Sequence, residues 1–373
     1  MIQRMEVHQA SLRFKRGFSI SRGKIGEAGA LAPHVLVILG EEDGGLGWGE
    51  SRSSHLWSYE TNETVVSTLE RYLRPCVIGQ EPGEIDKLHQ RMDSVIAPGI
   101  TRGQPIAKSS LDIACHDLVC RQQGVPISSF LGGSGRPEVD LSYLISAGSE
   151  GEAEEMTRSA LKDGYSGFKI KIGRGLESDL RIIEACSRTA GNGFLWADAN
   201  QAYSFSEARQ LARDAGKLDL QVLEQPMIST ARRGIVRLSK ESPVPIAIDE
   251  SVFTPEDLED FISWGFRGTV VIKVAKSGGL LPARRMIEIA MQSGLDLLGS
   301  GLTESMVGFS ASLQLFHAMG VDHPVDLNGP QFIEDHISSG PVVEGGRGMV
   351  VGPGLGVRVD IEKNREKDGG KVP

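Results

Sequence analysis

"GFKIKIG", residues 167–173, is the stretch on which the fold turns. A strand sends successive side chains to opposite faces. Lys169 and Lys171 therefore leave one face together, two positive charges inside an otherwise apolar run. A solvated strand edge is the ordinary explanation for such a pair, and the apolar neighbours argue against it. Reading outward, similar short apolar runs precede and follow. They are "DLSYLISAG" (140–148), "FLWADANQ" (194–201), "LQVLEQP" (220–226), "VPIAIDES" (244–251), "GTVVIKVAKSGG" (268–279), "DLLGSGLTES" (296–305) and "HPVDLNGP" (323–330). With the first stretch they make eight runs. Amphipathic segments such as "SEARQLARDAGKL" and "LPARRMIEIAMQSG" separate most of them. Strands alternating with helices predict a parallel sheet, and eight such units fit a (β/α) barrel.

The chain ahead of the barrel has a different rhythm. "HVLVIL", "EEDGG" and "LGWGES" read as strand, turn and strand. The glycines of "GGLGWG" resemble a dinucleotide loop, but no helical pattern follows them, so that reading is set aside. Helical patterns then cover 62–79, 84–96 and 107–124, the last opening after Pro105 and closing at Gly124. The expected division is an α+β domain over 1–133, a barrel over 134–336 and a segment over 337–373 that returns to the first domain. The Gly- and Val-rich tail "SGPVVEGGRGMVVGPGLGVRVDIEK" is the closing β-segment of that expectation.

Composition narrows the function. The chain has 373 residues, 40% hydrophobic and 24% charged, as expected of a soluble globular protein. A net charge of −9 without a basic block argues against nucleic acid or an anionic membrane as the main partner, and leaves room for a local basic site. The four cysteines, Cys76, Cys115, Cys120 and Cys186, form no C-x-x-C pair and are read as free buried thiols. The N-terminal stretch has no apolar signal-like core, and no run reaches the roughly 20 apolar residues of a membrane helix. The expectation is a cytoplasmic protein.

In a barrel, chemistry sits where the strands end. Asp198 and Asn200 end the third run, Glu224 the fourth, Asp249 and Glu250 the fifth, and Lys273 the sixth. Asp198, Glu224 and Asp249 follow one another at steps of 26 and 25 residues, one βα unit each, so they share one rim. Three clustered carboxylates repel unless a cation joins them, and an all-oxygen set favours Mg²⁺. Lys171 and Lys273 then flank the acids from opposite sides. Burial and a second cation lower a lysine pKa, and Lys169 stands beside Lys171 to supply that cation. A metal between two such lysines suits abstraction of the proton next to a carboxylate, through an enediolate.

These motifs, "FKIKIG", "ADAN", "LEQP", "IDES", "IKVAKSGGL" and "DLNGP", with "GWGE" and "AKSSLDIACHDL" ahead of them, closely resemble the enolase superfamily, muconate lactonizing enzyme subgroup. The resemblance runs over nearly the whole chain. It implies a (β/α)7β-type modified TIM barrel with an N-terminal α+β capping domain. By that resemblance Asp198, Glu224 and Asp249 match the Mg²⁺ ligands, Lys171 and Lys273 the paired acid/base lysines, and Lys169 the first lysine of K-x-K. Asn200 and Glu250 are supporting residues. The family carries specificity on capping-domain loops, here around "FSISRGKIG" (18–26) and "SRSSHLWSYE" (51–60). Members include muconate cycloisomerases, racemases or epimerases of N-acylamino acids, dipeptides and proline derivatives, and dehydratases. A branch with a histidine base on the seventh strand is disfavoured, because "LLGSGLTES" has none.

The eighth run carries Asp326 and Asn328 where dipeptide epimerases of the subgroup usually have Asp-x-Asp. Asp326 is placed to hold an ammonium group, with a turn cap as the competing reading. Arg22 and Arg52 are candidates for a second carboxylate, and Trp57 and Tyr59 for covering an apolar or cationic group. Ser300 is a further candidate contact, and for all the loop residues surface packing competes. The expected protein is a Mg²⁺-dependent racemase or epimerase of an amino-acid derivative, acting on a small carboxylate and forming a homo-oligomer. A muconate-type cycloisomerase and a hydroxy-amino-acid dehydratase are the alternatives. A binding protein on a retired enzyme scaffold is the alternative of another class.

Overall fold

A computed structural model describes residues 1–99, 101, 103–134 and 137–363. The expected C-terminal segment therefore lies outside the described residues from 364 onward.

Seven parallel strands form one sheet in sequence order: Ser142–Ile145, Gly167–Lys171, Phe194–Asp198, Val222–Glu224, Ile246–Ile248, Gly268–Ile272 and Asp296–Gly299. The sheet closes through single bridges, Leu141 to Val325 and Ser300 to Asp326. The expected eighth strand is thus reduced to a few residues. Pro324 has no N–H to give, and Gly329–Phe332 already turns as a short helix. A helix follows each of the seven strands, beginning with Glu150–Lys162 and ending with Met306–Met319. The architecture is the modified TIM barrel, seven βα units and a final β-segment.

Local chemistry sets the helix starts. Ser204 accepts from the Glu207 backbone while the Glu207 side chain accepts from the Ser204 backbone, a capping box opening Phe205–Ala215. Thr254 and Asp257 do the same for Pro255–Ser263, where Pro255 occupies the first turn without losing a hydrogen bond.

Inside the barrel, parity decides what each residue meets. Trp196, Val222, Ala247, Val271 and Leu298 pack together as one buried layer. Asp198, Glu224, Asp249, Lys273 and Ser300 each stand two residues further on, and so project from the same inner face one layer higher. The apolar layer is the floor on which a polar ring rests.

The N-terminal domain caps that ring. Its antiparallel sheet runs Ile333–Glu334, Ile2–Phe14, Leu31–Glu41, Leu46–Ser51. The last two are the hairpin read from sequence, with Ile38 opposite Trp48. The helix Pro105–Gln123 lies buried over its first sixteen residues and ends at Gly124 with φ 69°. Gly47 and Gly49 permit the strand-to-helix approach. A Cβ at Gly49 would stand 1.8 Å from the Ser110 carbonyl oxygen, so "GGLGWG" serves packing. Asp112 of that helix accepts from His89 Nε2 at 2.7 Å and from the backbone N–H groups of Leu280 and Leu281, capping a barrel helix from the other domain. Behind the barrel, Glu138–Asp140 pairs with Arg347–Met349, and Pro126 bridges to Gly354. All four cysteines are free; Cys76, unlike the expectation, is only partly buried. No helix of the described residues is long and apolar enough to cross a membrane.

Candidate active site

The ring of charge at the mouth of the barrel follows from register. Lys171 lies opposite Asp198, and Asp198 opposite Glu224, in adjacent parallel strands. Asp249 and Lys273 come one residue past the ends of the fifth and sixth strands. Lys171 Nζ donates to Asp198 Oδ2 at 2.6 Å and to Asn200 Oδ1 at 3.1 Å. Lys169, one layer lower, stands over the Trp196 ring at 4.3 Å. Its Nζ reaches Glu224 Oε1 at 3.1 Å, Asp198 Oδ2 at 3.3 Å and Asp326 Oδ2 at 3.2 Å. Across the ring, Lys273 donates to Asp249 Oδ2 and stands over the Trp57 ring at 4.3 Å. The lysines and carboxylates are all buried.

Lysine and carboxylate pKa values move together here. Burial pulls Lys169 and Lys273 down, but the carboxylates outweigh it: Glu224 and Asp198 hold Lys169 well above the ordinary lysine value, and Asp249 holds Lys273 above it. For Lys273, one of the two expected acid/base lysines, the expected lowering therefore fails. Ion pairing with acids on adjacent strands is the stronger term. Burial would raise Asp198, yet Lys171 and Lys169 bring it down to about 2. Glu224 goes the other way: burial and the Asp198 charge push its carboxyl well up against the pull of Lys169. Glu250 rises to about 7 through burial and the Asp249 charge.

The donor set fits a small divalent cation. Asp198, Glu224 and Asp249 perturb one another's ionisation, so they share one electrostatic site. Glu224 Oε2 is buried without a hydrogen-bond partner, although Lys169 Nζ stands 2.9 Å away. Among the described residues no three acidic, His or Cys side chains stand ready-made around one point. Each carboxylate holds a lysine ammonium instead: Asp198 that of Lys171, Glu224 that of Lys169 and Asp249 that of Lys273.

Two residues outside the sequence reading steady this ring. Gln225, at φ 38°, uses its Oε1 to accept from the Asp249 and Ser251 backbone N–H groups and donates from Nε2 to Met227 O and Ser251 Oγ. Lys276, wholly buried on the turn Val274–Ser277, donates to Asp249 O and Oδ1, each at 2.8 Å. Only their adjacency to Glu224 and Lys273 in sequence signals them.

The expected specificity residues divide between two spaces. A small cavity is lined by Lys169, Lys171, Lys273, Arg52, Trp57, Ser300, Asp326 and Asn328, under an apolar wall including Phe18, Ile20 and Ile25. That wall comes from the hairpin Phe18–Ile20 and Gly23–Ile25, inside the expected loop. Arg22 and Tyr59 face a larger outer recess, which meets the inner cavity at Trp57. Tyr59 pairs its hydroxyl with Thr101 Oγ1 at 2.6 Å, and burial pushes its phenol up to about 12. Arg52 is buried with Nε unpaired, and burial lowers it to about 10 against the pull of Glu50 and Glu304. Asn200 donates to Glu250 Oε1 at 3.0 Å, placing both supporting residues behind Lys171. Asp326 accepts from Ser300 Oγ at 3.2 Å and Asn328 Nδ2 at 2.9 Å.

Comparison with known proteins gives a consistent picture. Residues 6–132 match the mandelate racemase / muconate lactonizing enzyme N-terminal domain, and residues 152–364 match the enolase C-terminal domain-like family. The chain is 28% identical over 337 residues to N-succinyl-L-Arg/Lys racemase of Bacillus cereus, covering 90% of this chain and 89% of that one. The structure of muconate lactonizing enzyme from Pseudomonas fluorescens, complexed with muconolactone, aligns at TM-score 0.91 and 27% identity over 98% of each chain. The dipeptide epimerase of Enterococcus faecalis, complexed with Mg and L-Leu-L-Tyr, aligns at TM-score 0.88 and 25% identity, over 95% of this chain and 99% of that one.

Proposed function

The chain belongs to the mandelate racemase / muconate lactonizing enzyme family and is an isomerase of the enolase superfamily, and from that premise we propose that it racemises or epimerises an amino-acid derivative. The observation that carries this reading is the placement of Lys171 and Lys273. They enter one cavity from the second and sixth strands, with the three carboxylates on the strands between them. A substrate α-carbon between them has one ammonium on each face. One lysine, in its neutral form, takes the α-proton, and the other, protonated, returns a proton to the opposite face.

Asp198, Glu224 and Asp249 would hold Mg²⁺. When bound, the ion supplies positive charge that acidifies the α-proton and offsets charge developing on the substrate carboxylate. Asn200 keeps Lys171 aimed by accepting from its Nζ, and Glu250 holds Asn200 in turn. Trp57 presents its ring to Lys273, and with Phe18, Ile20 and Ile25 it keeps bulk water from the reacting centre.

Within amino-acid derivatives, N-acylated ones fit best. Asp326, the group expected to hold a substrate ammonium, is already engaged by Lys169, Ser300 and Asn328. An amide nitrogen carries no charge and asks for no such partner. The same feature favours the second reading, a muconate-type cycloisomerase, whose substrate has no ammonium either. Incubation in D₂O with Mg²⁺ and pools of N-acylamino acids, dipeptides, proline derivatives and muconate separates these readings by proton NMR. Loss of an α-proton signal from an intact compound supports the racemase; a new lactone signal replaces it with the cycloisomerase.

A further inference from the structure

Each of the three ring carboxylates has at least one oxygen already committed to a donor of the protein. Asp198 Oδ1 accepts from the Asn200 backbone N–H at 2.9 Å. Glu224 Oε1 accepts from Lys169 Nζ at 3.1 Å, and Asp249 Oδ1 accepts from Lys276 Nζ at 2.8 Å. The other three oxygens differ in kind. Glu224 Oε2 makes no hydrogen bond, although the same Lys169 Nζ stands 2.9 Å from it, while Asp198 Oδ2 and Asp249 Oδ2 carry Lys171 and Lys273, side chains that border the cavity. Lys276 is wholly buried, lies behind Asp249 outside the cavity lining, and grips the aspartate by side chain and backbone together. Gln225 fixes the same residue from its N–H side.

We infer that Lys276 is a positioning residue that makes Asp249 a one-oxygen ligand, and so sets the site for Mg²⁺ against Ca²⁺. The inference rests on the reading that these carboxylates hold a divalent cation. The physical ground is coordination. Mg²⁺ takes six oxygens in a tight octahedron and is served by carboxylates binding through single oxygens. Ca²⁺ takes six to eight at longer distance and readily accepts both oxygens of a carboxylate. An ammonium pinned on Oδ1 denies it the second oxygen. Asp198 and Glu224 are constrained alike, but only on Asp249 is the restraining group a side chain that neither borders the cavity nor touches the other ring acids in the hydrogen-bond pattern. It can therefore be altered separately.

The test is calorimetric titration of the full-length resting protein with MgCl₂ and with CaCl₂, for the wild type, Lys276→Met and Lys276→Arg. Outer-sphere partners of this kind change metal affinity about 10- to 100-fold. The expected result is a shift of the Mg²⁺/Ca²⁺ affinity ratio toward Ca²⁺ by about 10-fold or more in Lys276→Met, with the ratio kept in Lys276→Arg. An unchanged ratio in folded Lys276→Met overturns the inference while leaving the cation site standing. Wild-type protein that binds neither ion overturns both. Should the variants not fold, crystals of wild-type protein soaked in Ca²⁺ decide: Asp249 bound through Oδ2 alone with Lys276 still on Oδ1 supports the inference, and a bidentate Asp249 overturns it.

Discussion

Replacing Lys171 or Lys273 by alanine separates the roles of the two lysines, because the structure protects the fold against either loss. Removing one partner of a buried ion pair usually costs about 3–5 kcal/mol, since it strands the other charge. Here neither acid is stranded. Without Lys171, Asp198 keeps Lys169 at 3.3 Å; without Lys273, Asp249 keeps Lys276 at 2.8 Å. Each variant should therefore fold, with a stability loss below that range. Turnover is another matter. A positioned general acid or base contributes about 10²–10⁴-fold, and racemisation needs both in the same cycle. Each variant should fall to about 10⁻³ of wild-type racemisation or lower. Half of the chemistry survives in each, however. The lysine that remains still meets the α-proton of one enantiomer, so each variant should exchange that enantiomer's proton with D₂O and ignore the other's. The two variants should choose opposite enantiomers. Proton NMR of the separate D and L substrates reads this directly. The reasoning is refuted if both variants exchange the same enantiomer, or if either racemises at the wild-type rate.

Exhaustive chelation should abolish turnover and added Mg²⁺ restore it; activity that survives chelation would remove the cation from the mechanism. Gly49→Ala should destabilise the chain by about 3 kcal/mol or prevent folding, because the new methyl meets the Ser110 carbonyl of the buried helix and backbone cannot yield as a side chain would; an unchanged urea midpoint would contradict this. Glu304, buried beside Glu50 and within the field of Lys273, has its carboxyl raised from 4.5 to about 7. The folded chain thus keeps a proton that the unfolded chain loses above 4.5. Its contribution to stability is full below that pH and is lost as pH rises through about 7, at up to about 1.4 kcal/mol per pH unit. Glu304→Gln should flatten that part of the stability–pH curve, measured by urea denaturation; an unaltered slope would show that another group is responsible.

The barrel and its charged ring were legible in the sequence for one physical reason, the period of two along a strand. It puts Lys169 and Lys171 on one face, and it puts Asp198, Glu224, Asp249 and Lys273 two residues above the buried layer of Trp196, Val222, Ala247 and Val271. Where that period stops, legibility stops. The eighth strand shrinks to two bridges because Pro324 and the turn at Gly329 leave it no ladder. Lys276 sits three residues past Lys273 on a helical turn, so strand parity could not announce that it returns to Asp249. The shift of Lys273 runs against expectation for a related reason. Sequence shows that Lys273 is buried among apolar residues, but only coordinates show that its ammonium ends on Asp249.

The same limit explains the specificity residues. Arg52 and Trp57 lie seven residues or fewer from Tyr59 in one irregular loop, yet Arg52 and Trp57 reach the inner cavity and Tyr59 faces the outer recess. Loop direction, set by contacts such as Tyr59 to Thr101, has no period from which to read it. This division has a functional consequence. The lysines and carboxylates of the ring are fixed by five barrel strands, the second to the sixth, whereas Phe18, Ile20, Ile25, Arg52 and Trp57 come from the capping domain alone. The roof can change without disturbing the register that aligns Lys171 with Asp198 and Asp198 with Glu224. In the proposed reaction, proton abstraction would rest on the strands, and the choice of which substrate gives up its α-proton on the loops.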